Sequence, residues 1–283
     1  MKKIEIKSNS EILSATFFEG VRNDTILIIA SATGVKQEYY QKFAQFIANN
    51  GISVLTFDYT GIGRSLKKPI KKYINNAADW GICDLESIIQ YTITKYPKSK
   101  KIVLGHSIGG QLIGLSKASM QLDKIVLVAA QSGYWKYWSG IGRIKMWCSW
   151  HLLFPIFLNT FGYLKSKKIS GMENLPKHVA KQWSTWGKNK DYILSDTSIH
   201  QKYYDSISAE VTAFSIEDDK FAPLSAVKWM TSQYKNAKKK SIHLKPIDFK
   251  VNTIGHFGIF KEKFKDTIWV KILDEIKPSI SNP

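Results

Sequence analysis

The chain has 283 residues, with 41 Lys and Arg against 23 Asp and Glu, a formal charge of +18, and two cysteines. This length fits one large domain or two modest ones, and 44% apolar with 13% aromatic residues excludes wholesale disorder. Cys83 and Cys148 are too few for a disulfide scaffold or a Cys-based zinc site. The opening Met1-Lys2-Lys3-Ile4-Glu5-Ile6-Lys7 alternates charged and apolar residues and lacks the apolar core of a signal peptide. The most apolar stretch, Met146 to Leu158, carries His151 and Pro155 and is too short to span a bilayer. A soluble, cytoplasmic protein is therefore expected.

Of the basic residues 38 are Lys and only Arg22, Arg64 and Arg143 are Arg. Bidentate phosphate and base recognition favours Arg, so nucleic acid is not an expected partner. The tightest groups are Lys67-Lys68 with Lys71-Lys72, Lys165-Lys167-Lys168, and Lys238-Lys239-Lys240. These read first as a solvated surface, and second as attraction toward anionic substrates or membrane headgroups.

In chain order, Lys3–Lys7 and Ile12–Phe18 have no helix between them and predict an antiparallel hairpin at a sheet edge. Thr25–Ala30 is a nearly continuous apolar run, as in a strand buried on both faces. Tyr39–Asn49 places Phe43, Phe46 and Ile47 at helical spacing, with Gly51 as a stop. Strands are then predicted at Ile52–Phe57, Lys101–Gly105, Lys124–Ala129, Val211–Ile216 and Ser241–Leu244. Helices are predicted at Asp79–Lys95, Ser107–Met120, Leu224–Tyr234 and Phe260–Ile276. This alternation predicts an α/β fold with a mainly parallel sheet covered on both sides.

One interruption, residues 132–208, holds six of the nine tryptophans. A connection of that length is too long for a bare loop in a compact domain. It is expected to be a helical lid packed over the C-terminal edge of the sheet, where α/β folds place their ligands. The domain reading is thus a core of residues 1–131 and 209–283 with a cap of residues 132–208.

The sharpest motif is Gly105-His106-Ser107-Ile108-Gly109, G-x-S-x-G, between an apolar strand and a helix-forming run. A nucleophile on so tight a turn is strained, and small residues two positions either side relieve the crowding. The turn then aims the Ile108 N–H at the oxyanion formed when Ser107 attacks a carbonyl. Serine needs a base, and the base needs an orienting carboxylate, here in the order Ser, Asp, His. After Val211–Ile216 comes Glu217-Asp218-Asp219, from which Asp219 is chosen ahead of Asp218 and Glu217. Thr253-Ile254-Gly255-His256-Phe257-Gly258 supplies the base, His256, in a loop after the last strand. His106 is read as facing away from the base, and His243 as a strand residue. His151, His178 and His200 precede Asp219 and read as surface or cap residues.

Taken together, Ser107, Asp219 and His256 in this order resemble the α/β-hydrolase superfamily. Ala30-Ser31-Ala32-Thr33-Gly34, Tyr40-Gln41-Lys42-Phe43-Ala44 and Asp58-Tyr59-Thr60-Gly61-Ile62-Gly63-Arg64-Ser65 are similar to its serine-aminopeptidase-like branch, which includes monoglyceride lipases. Ala-Thr-Gly, Glu-Asp-Asp and Gly-His-Phe-Gly resemble more narrowly a group of bacterial predicted α/β hydrolases without a settled substrate. The resemblance implies an α/β-hydrolase fold with a mostly parallel eight-stranded sheet. In that family a Pro often stands four residues after the acid, as Pro223 stands to Asp219. Many relatives carry His-Gly where this chain reads Ser31-Ala32. Alignment from Tyr40 puts Thr33 at the position whose N–H completes the oxyanion hole with Ile108, leaving Ala32 and Gly34 as alternatives. Asp58 resembles a structural Asp that bonds backbone groups of its loop.

The function expected is a cofactor-free and metal-free serine hydrolase of carboxylic esters, acting on a small-molecule ester through an acyl-enzyme. Trp135, Trp138, Trp147 and Trp150 are candidate substrate-wall residues, though a helical lid also needs tryptophans for its own core. Residues 134–205 carry 11 Lys and Arg against four Asp and Glu. A basic, Trp-rich lid on anionic lipid gives the alternative, a membrane-surface lysolipase or monoacylglycerol-type lipase. A peptidase and a non-catalytic binding protein stand behind these.

Overall fold

A computed structural model describes residues 1–167 and 171–277, and Lys168 of the second basic group lies outside them. The strands are β1 (Lys2–Ser8), β2 (Glu11–Phe18), β3 (Arg22–Ala30), β4 (Ile52–Phe57), β5 (Lys100–His106), β6 (Lys124–Val128), β7 (Tyr163–Leu164), β8 (Leu175–Pro176), β9 (Glu210–Ile216) and β10 (Lys239–Leu244). Eight of them form one sheet in the order β1-β2-β4-β3-β5-β6-β9-β10. The β1–β2 hairpin and the β2–β4 pairing are antiparallel, and every pairing from β4 to β10 is parallel.

Both faces of this sheet are buried, which is why its central strands read as continuous apolar runs. Along β3, Leu27 and Ile29 join one apolar layer while Ile28 and Ala30 join the other. Along β6, Val126 and Val128 face the first layer, and Ile125 and Leu127 the second. Helices α1 (Gln41–Asn49) and α8 (Ile268–Ile276) supply Phe43, Ile47, Trp269 and Ile272 to the first. Helix α2 (Glu86–Lys95) supplies Ile88 and Ile89 to the second.

Three predicted helices differ from those observed. The stretch 107–120 forms only a short α3 (Ile108–Gln111), followed by 3-10 turns at Ile113–Leu115 and Lys117–Gln121. Side chains from elsewhere take its backbone groups. The Glu86 carboxylate accepts from Ser116 Oγ at 2.8 Å and from the Ala118 N–H at 2.7 Å, while Tyr204 donates to the Gln111 carbonyl. The stretch 79–95 opens as a π-helical segment, Trp80–Leu85, which turns Asp84 inward to accept from Ser8 Oγ at 2.7 Å, the Thr60 N–H at 2.8 Å and Thr60 Oγ1 at 2.9 Å. The last helix starts at Ile268 rather than Phe260, and Trp269 Nε1 donates to the Ile259 carbonyl at 2.9 Å.

Between β6 and β9 the chain forms α4 (Gly140–Cys148), a π-helical segment Ser149–Leu153, α5 (Phe154–Phe161) and α6 (Lys177–Lys188). It also forms a two-stranded antiparallel pair, β7 with β8, that the sequence pattern did not signal. Helix α7 (Leu224–Ser232) then returns the chain to the sheet. Among the described residues no helix is long and apolar enough to cross a membrane.

Candidate active site

Sheet order places the site. From β3 the chain builds β4 on one side and β5 on the other, so the loops after β3 and β5 part and leave a crevice. Ser107 follows β5 at φ +54° and ψ −121°, a conformation that costs a non-glycine residue about 1–3 kcal/mol. Its N–H donates to the Val128 carbonyl at 2.9 Å and its carbonyl accepts from the Gly110 N–H at 3.0 Å. The neighbours must be small. A Cβ on Gly105 would lie 2.4 Å from Gly110 Cα, and one on Gly109 would lie 2.1 Å from the Ala30 oxygen.

Asp219, after β9, and His256, before α8, meet in space. His256 Nδ1 stands 2.7 Å from Asp219 Oδ2, with both side chains nearly solvent-free. Asp219 Oδ1 accepts from the N–H groups of Phe221 at 2.7 Å and Ala222 at 3.0 Å, which fixes the carboxylate plane. The neighbouring Asp218 points elsewhere. It accepts from Thr253 Oγ1, the Ile254 N–H at 3.0 Å and the Gly255 N–H at 3.1 Å, and so holds the loop that carries His256. Burial pushes the Asp218 carboxyl up, but these donors together hold it below the usual carboxylate range. The Asp58 carboxylate, fully buried, accepts from the Gln37 N–H at 2.8 Å, Gln37 Nε2 at 2.9 Å and the Arg64 N–H at 2.9 Å, matching its structural reading.

His106, expected to face away from the base, instead packs against it, with the two imidazole rings 4.9 Å apart. Its Nδ1 lies 2.8 Å from Tyr40 Oη, its Nε2 lies 3.1 Å from the His256 carbonyl oxygen, and the Ala32 N–H donates to Tyr40 Oη at 3.0 Å. Burial, and then the neighbouring His256 ring, hold the His106 imidazole well below its usual range, so it is neutral. Tyr39 Oη donates to the next carbonyl, that of Phe257, at 2.5 Å.

Ser107, His256, Ala32 and Thr33 line one cavity of about 230 Å³. The rest of its wall is mostly apolar and comes largely from the segment between β6 and β9, including Met146, Leu153, Phe157, Met172 and Trp183. Trp138 and Trp150 line it, with their indole N–H groups on the carbonyls of Lys220 at 2.8 Å and Gly133 at 2.9 Å. Those bonds leave the apolar ring faces for the cavity. Trp135 and Trp147 stand apart from the wall, against His151, and Trp147 is partly exposed. Among the described residues the only ionisable groups in the wall are His256 and the Tyr192 phenol, which burial pushes far up. Met172, Tyr192 and Phe257 carry no local sign of this role in the sequence, because they reach the cavity only through tertiary folding.

The parallel sheet, the strained serine turn and the buried Asp219–His256 pair define an α/β hydrolase. The chain belongs to a family described as serine aminopeptidase, S33, whose model matches residues 22–205, a span that includes Thr33 and Ser107. Solved structures agree in fold at low identity. A soluble variant of monoglyceride lipase from Saccharomyces cerevisiae, in complex with a substrate analog, is 13% identical with a TM-score of 0.70, over 98% of this chain and 95% of that one. A highly thermostable carboxyl esterase from Bacillus coagulans is 11% identical with a TM-score of 0.63, over 97% of each chain. Paleococcus ferrophilus monoacylglycerol lipase is 14% identical with a TM-score of 0.61, over 93% of this chain and 98% of that one.

Proposed function

We propose that the protein hydrolyses carboxylic esters through an acyl-enzyme on Ser107, with residues 132–208 acting as a lid over a core of residues 1–131 and 209–283. The observation that carries this reading is a strained Ser107 and a His256 lining one apolar cavity, with His256 Nδ1 held 2.7 Å from the buried Asp219 carboxylate. Ser107 Oγ attacks the carbonyl while His256 takes its proton and later delivers it to the leaving alcohol. Asp219 holds the Nδ1–H tautomer and stabilises the imidazolium. The N–H groups of Ile108 and Thr33 receive the oxyanion, and water then cleaves the acyl-enzyme.

An apolar wall suits a neutral acyl group. The free ammonium of an aminopeptidase substrate needs a carboxylate, and the described wall offers none. A cavity of 150 Å³ accepts benzene, so about 230 Å³ suits an acyl chain of medium length or an aryl group. Turnover of p-nitrophenyl and glycerol esters from two to sixteen carbons, beside amino-acid p-nitroanilides, tests this with Ser107→Ala as control. Ser107-dependent ester turnover peaking at medium chains is expected. Cleavage of the anilides alone, or full activity in Ser107→Ala, refutes it.

One observation favours a lipid surface as the place of action. Ile141, Ile144, Leu152, Leu153 and Ile156 are exposed on the lid elements, which also carry Lys136, Arg143 and Lys145. Sedimentation with anionic vesicles that weakens at high salt is expected of that reading, equal recovery with neutral vesicles would remove the role of the basic residues, and no recovery with either counts against it.

A further inference from the structure

We propose that Tyr40 and His106 form a positioning relay that ties the oxyanion strand end to the backbone of His256, so that both halves of the machinery are set by one chain of hydrogen bonds. The inference rests on the ester-hydrolase reading above, and it concerns residues that reading leaves without a role.

The direction of each bond is forced. A backbone N–H can only donate, so Tyr40 Oη accepts from Ala32 at 3.0 Å. The Tyr40 hydroxyl proton is then free to go only to His106 Nδ1, at 2.8 Å. That leaves the proton of a neutral imidazole on Nε2, facing the His256 carbonyl at 3.1 Å, which can only accept. Every link is satisfied by one tautomer. The whole chain is shut from solvent, with Tyr40 and His106 at 0% exposure and Ala32 at 1%.

Two consequences follow for catalysis. First, the Ala32 N–H is committed to Tyr40 and cannot serve an oxyanion. Gly34 is outside the cavity wall that Thr33 lines, which leaves the Thr33 N–H as the donor on this strand end. Second, the His256 peptide is anchored from the nucleophile turn itself, one residue before Ser107. The Tyr39 bond to the Phe257 carbonyl and the Asp218 bonds to residues 253–255 hold the loop on either side. The loop after β3, the end of β5 and the loop before α8 therefore converge on one imidazole ring. A side chain at position 106 must offer an acceptor and a donor at opposite ends of a flat ring, and the same ring packs against Phe257 and Phe260 at centroid distances of 5.7 and 5.0 Å.

The test uses the full chain with Tyr40→Phe, His106→Phe, His106→Gln and the double variant Tyr40→Phe/His106→Phe. Tyr40→Phe keeps the ring that packs on Phe260 at 4.9 Å and removes only the hydroxyl. A displacement of about 1 Å in a reacting group can cost roughly 100-fold, so kcat is expected to fall about 10- to 100-fold in both Phe variants, with KM within about twofold. Because the two residues form one chain, the double variant should be no slower than His106→Phe alone. His106→Gln, which again offers an acceptor and a donor, should recover part of kcat. The same variants should slow phosphonylation of Ser107 by a fluorophosphonate in parallel with kcat. Wild-type kcat in Tyr40→Phe, or losses that multiply in the double variant, overturn the relay while leaving the hydrolase reading intact. If the wild type shows no Ser107-dependent turnover, the hydrolase reading falls. The relay is then decided by the downfield NMR proton between His256 Nδ1 and Asp219, whose broadening in Tyr40→Phe supports it and whose persistence overturns it.

Discussion

Replacing Gly109 by Ala tests the construction of the serine turn with a single methyl group. The added Cβ would lie 2.1 Å from the Ala30 oxygen, 2.6 Å from the Ala30 carbonyl carbon and 2.8 Å from the Ser31 oxygen. All three are backbone atoms at the end of β3, so no side chain can swing aside. Reaching even a 3.0 Å separation requires α3 and the β3 end to part by about 0.9 Å. That is close to the misplacement of about 1 Å that can cost roughly 100-fold in rate, and it falls between Ser107 and the Thr33 loop. Overpacking of this kind costs about 1–3 kcal/mol of stability, which for a chain of this size lowers Tm by a few degrees. The expected result is a kcat at least about 30-fold lower on the preferred p-nitrophenyl ester, with a lower Tm. Gly258→Ala is the control, because its Cβ would meet nothing within 4 Å and its φ is not positive. A Gly109→Ala protein with kcat within threefold of wild type, and unchanged Tm, would refute the close approach of the two loops.

Two other predictions address carboxylates that accept several hydrogen bonds. Asp219→Asn removes the charge facing imidazolium and disturbs the tautomer, so kcat should fall about 10³- to 10⁴-fold; Asp218→Asn, which only loosens the His256 loop, should lose about 10- to 100-fold, and an inverted order would reassign the acid. Burial pushes the Asp84 carboxyl up to about 7 against the donors Ser8 and Thr60. Between pH of about 4, where the unfolded carboxyl ionises, and about 7, only the folded chain keeps this proton, so raising pH through that window lowers stability by roughly 2–4 kcal/mol. Asp84→Asn should remove that loss, and parallel pH slopes of unfolding free energy in the two proteins would refute it.

The elements legible in the sequence were those whose pattern is local. The apolar runs of β3, β4, β5 and β6 and the edge hairpin were read within a few residues, because burial on two faces leaves a continuous apolar signature. The helix expected at 107–120 breaks into short turns where Glu86, Tyr203 and Tyr204, all distant in sequence, take its backbone groups. A strand pair as short as β7–β8 is too brief to show periodicity.

The serine turn is written into the local sequence, since G-x-S-x-G between a strand and a helix start states a steric requirement that Gly105 and Gly109 meet. The sequence also places a carboxylate cluster and then a histidine loop after Ser107 along the chain. That Asp219 faces His256 while Asp218 clamps its loop emerges in three dimensions, because adjacent residues on a turn point in different directions. Folding alone separated Trp138 and Trp150 at the cavity from Trp135 and Trp147 outside it. And it alone joined Ala32, Tyr40, His106 and His256, four residues spread over more than 200 positions, because hydrogen bonds are set by distance in space and leave no periodic trace along the chain.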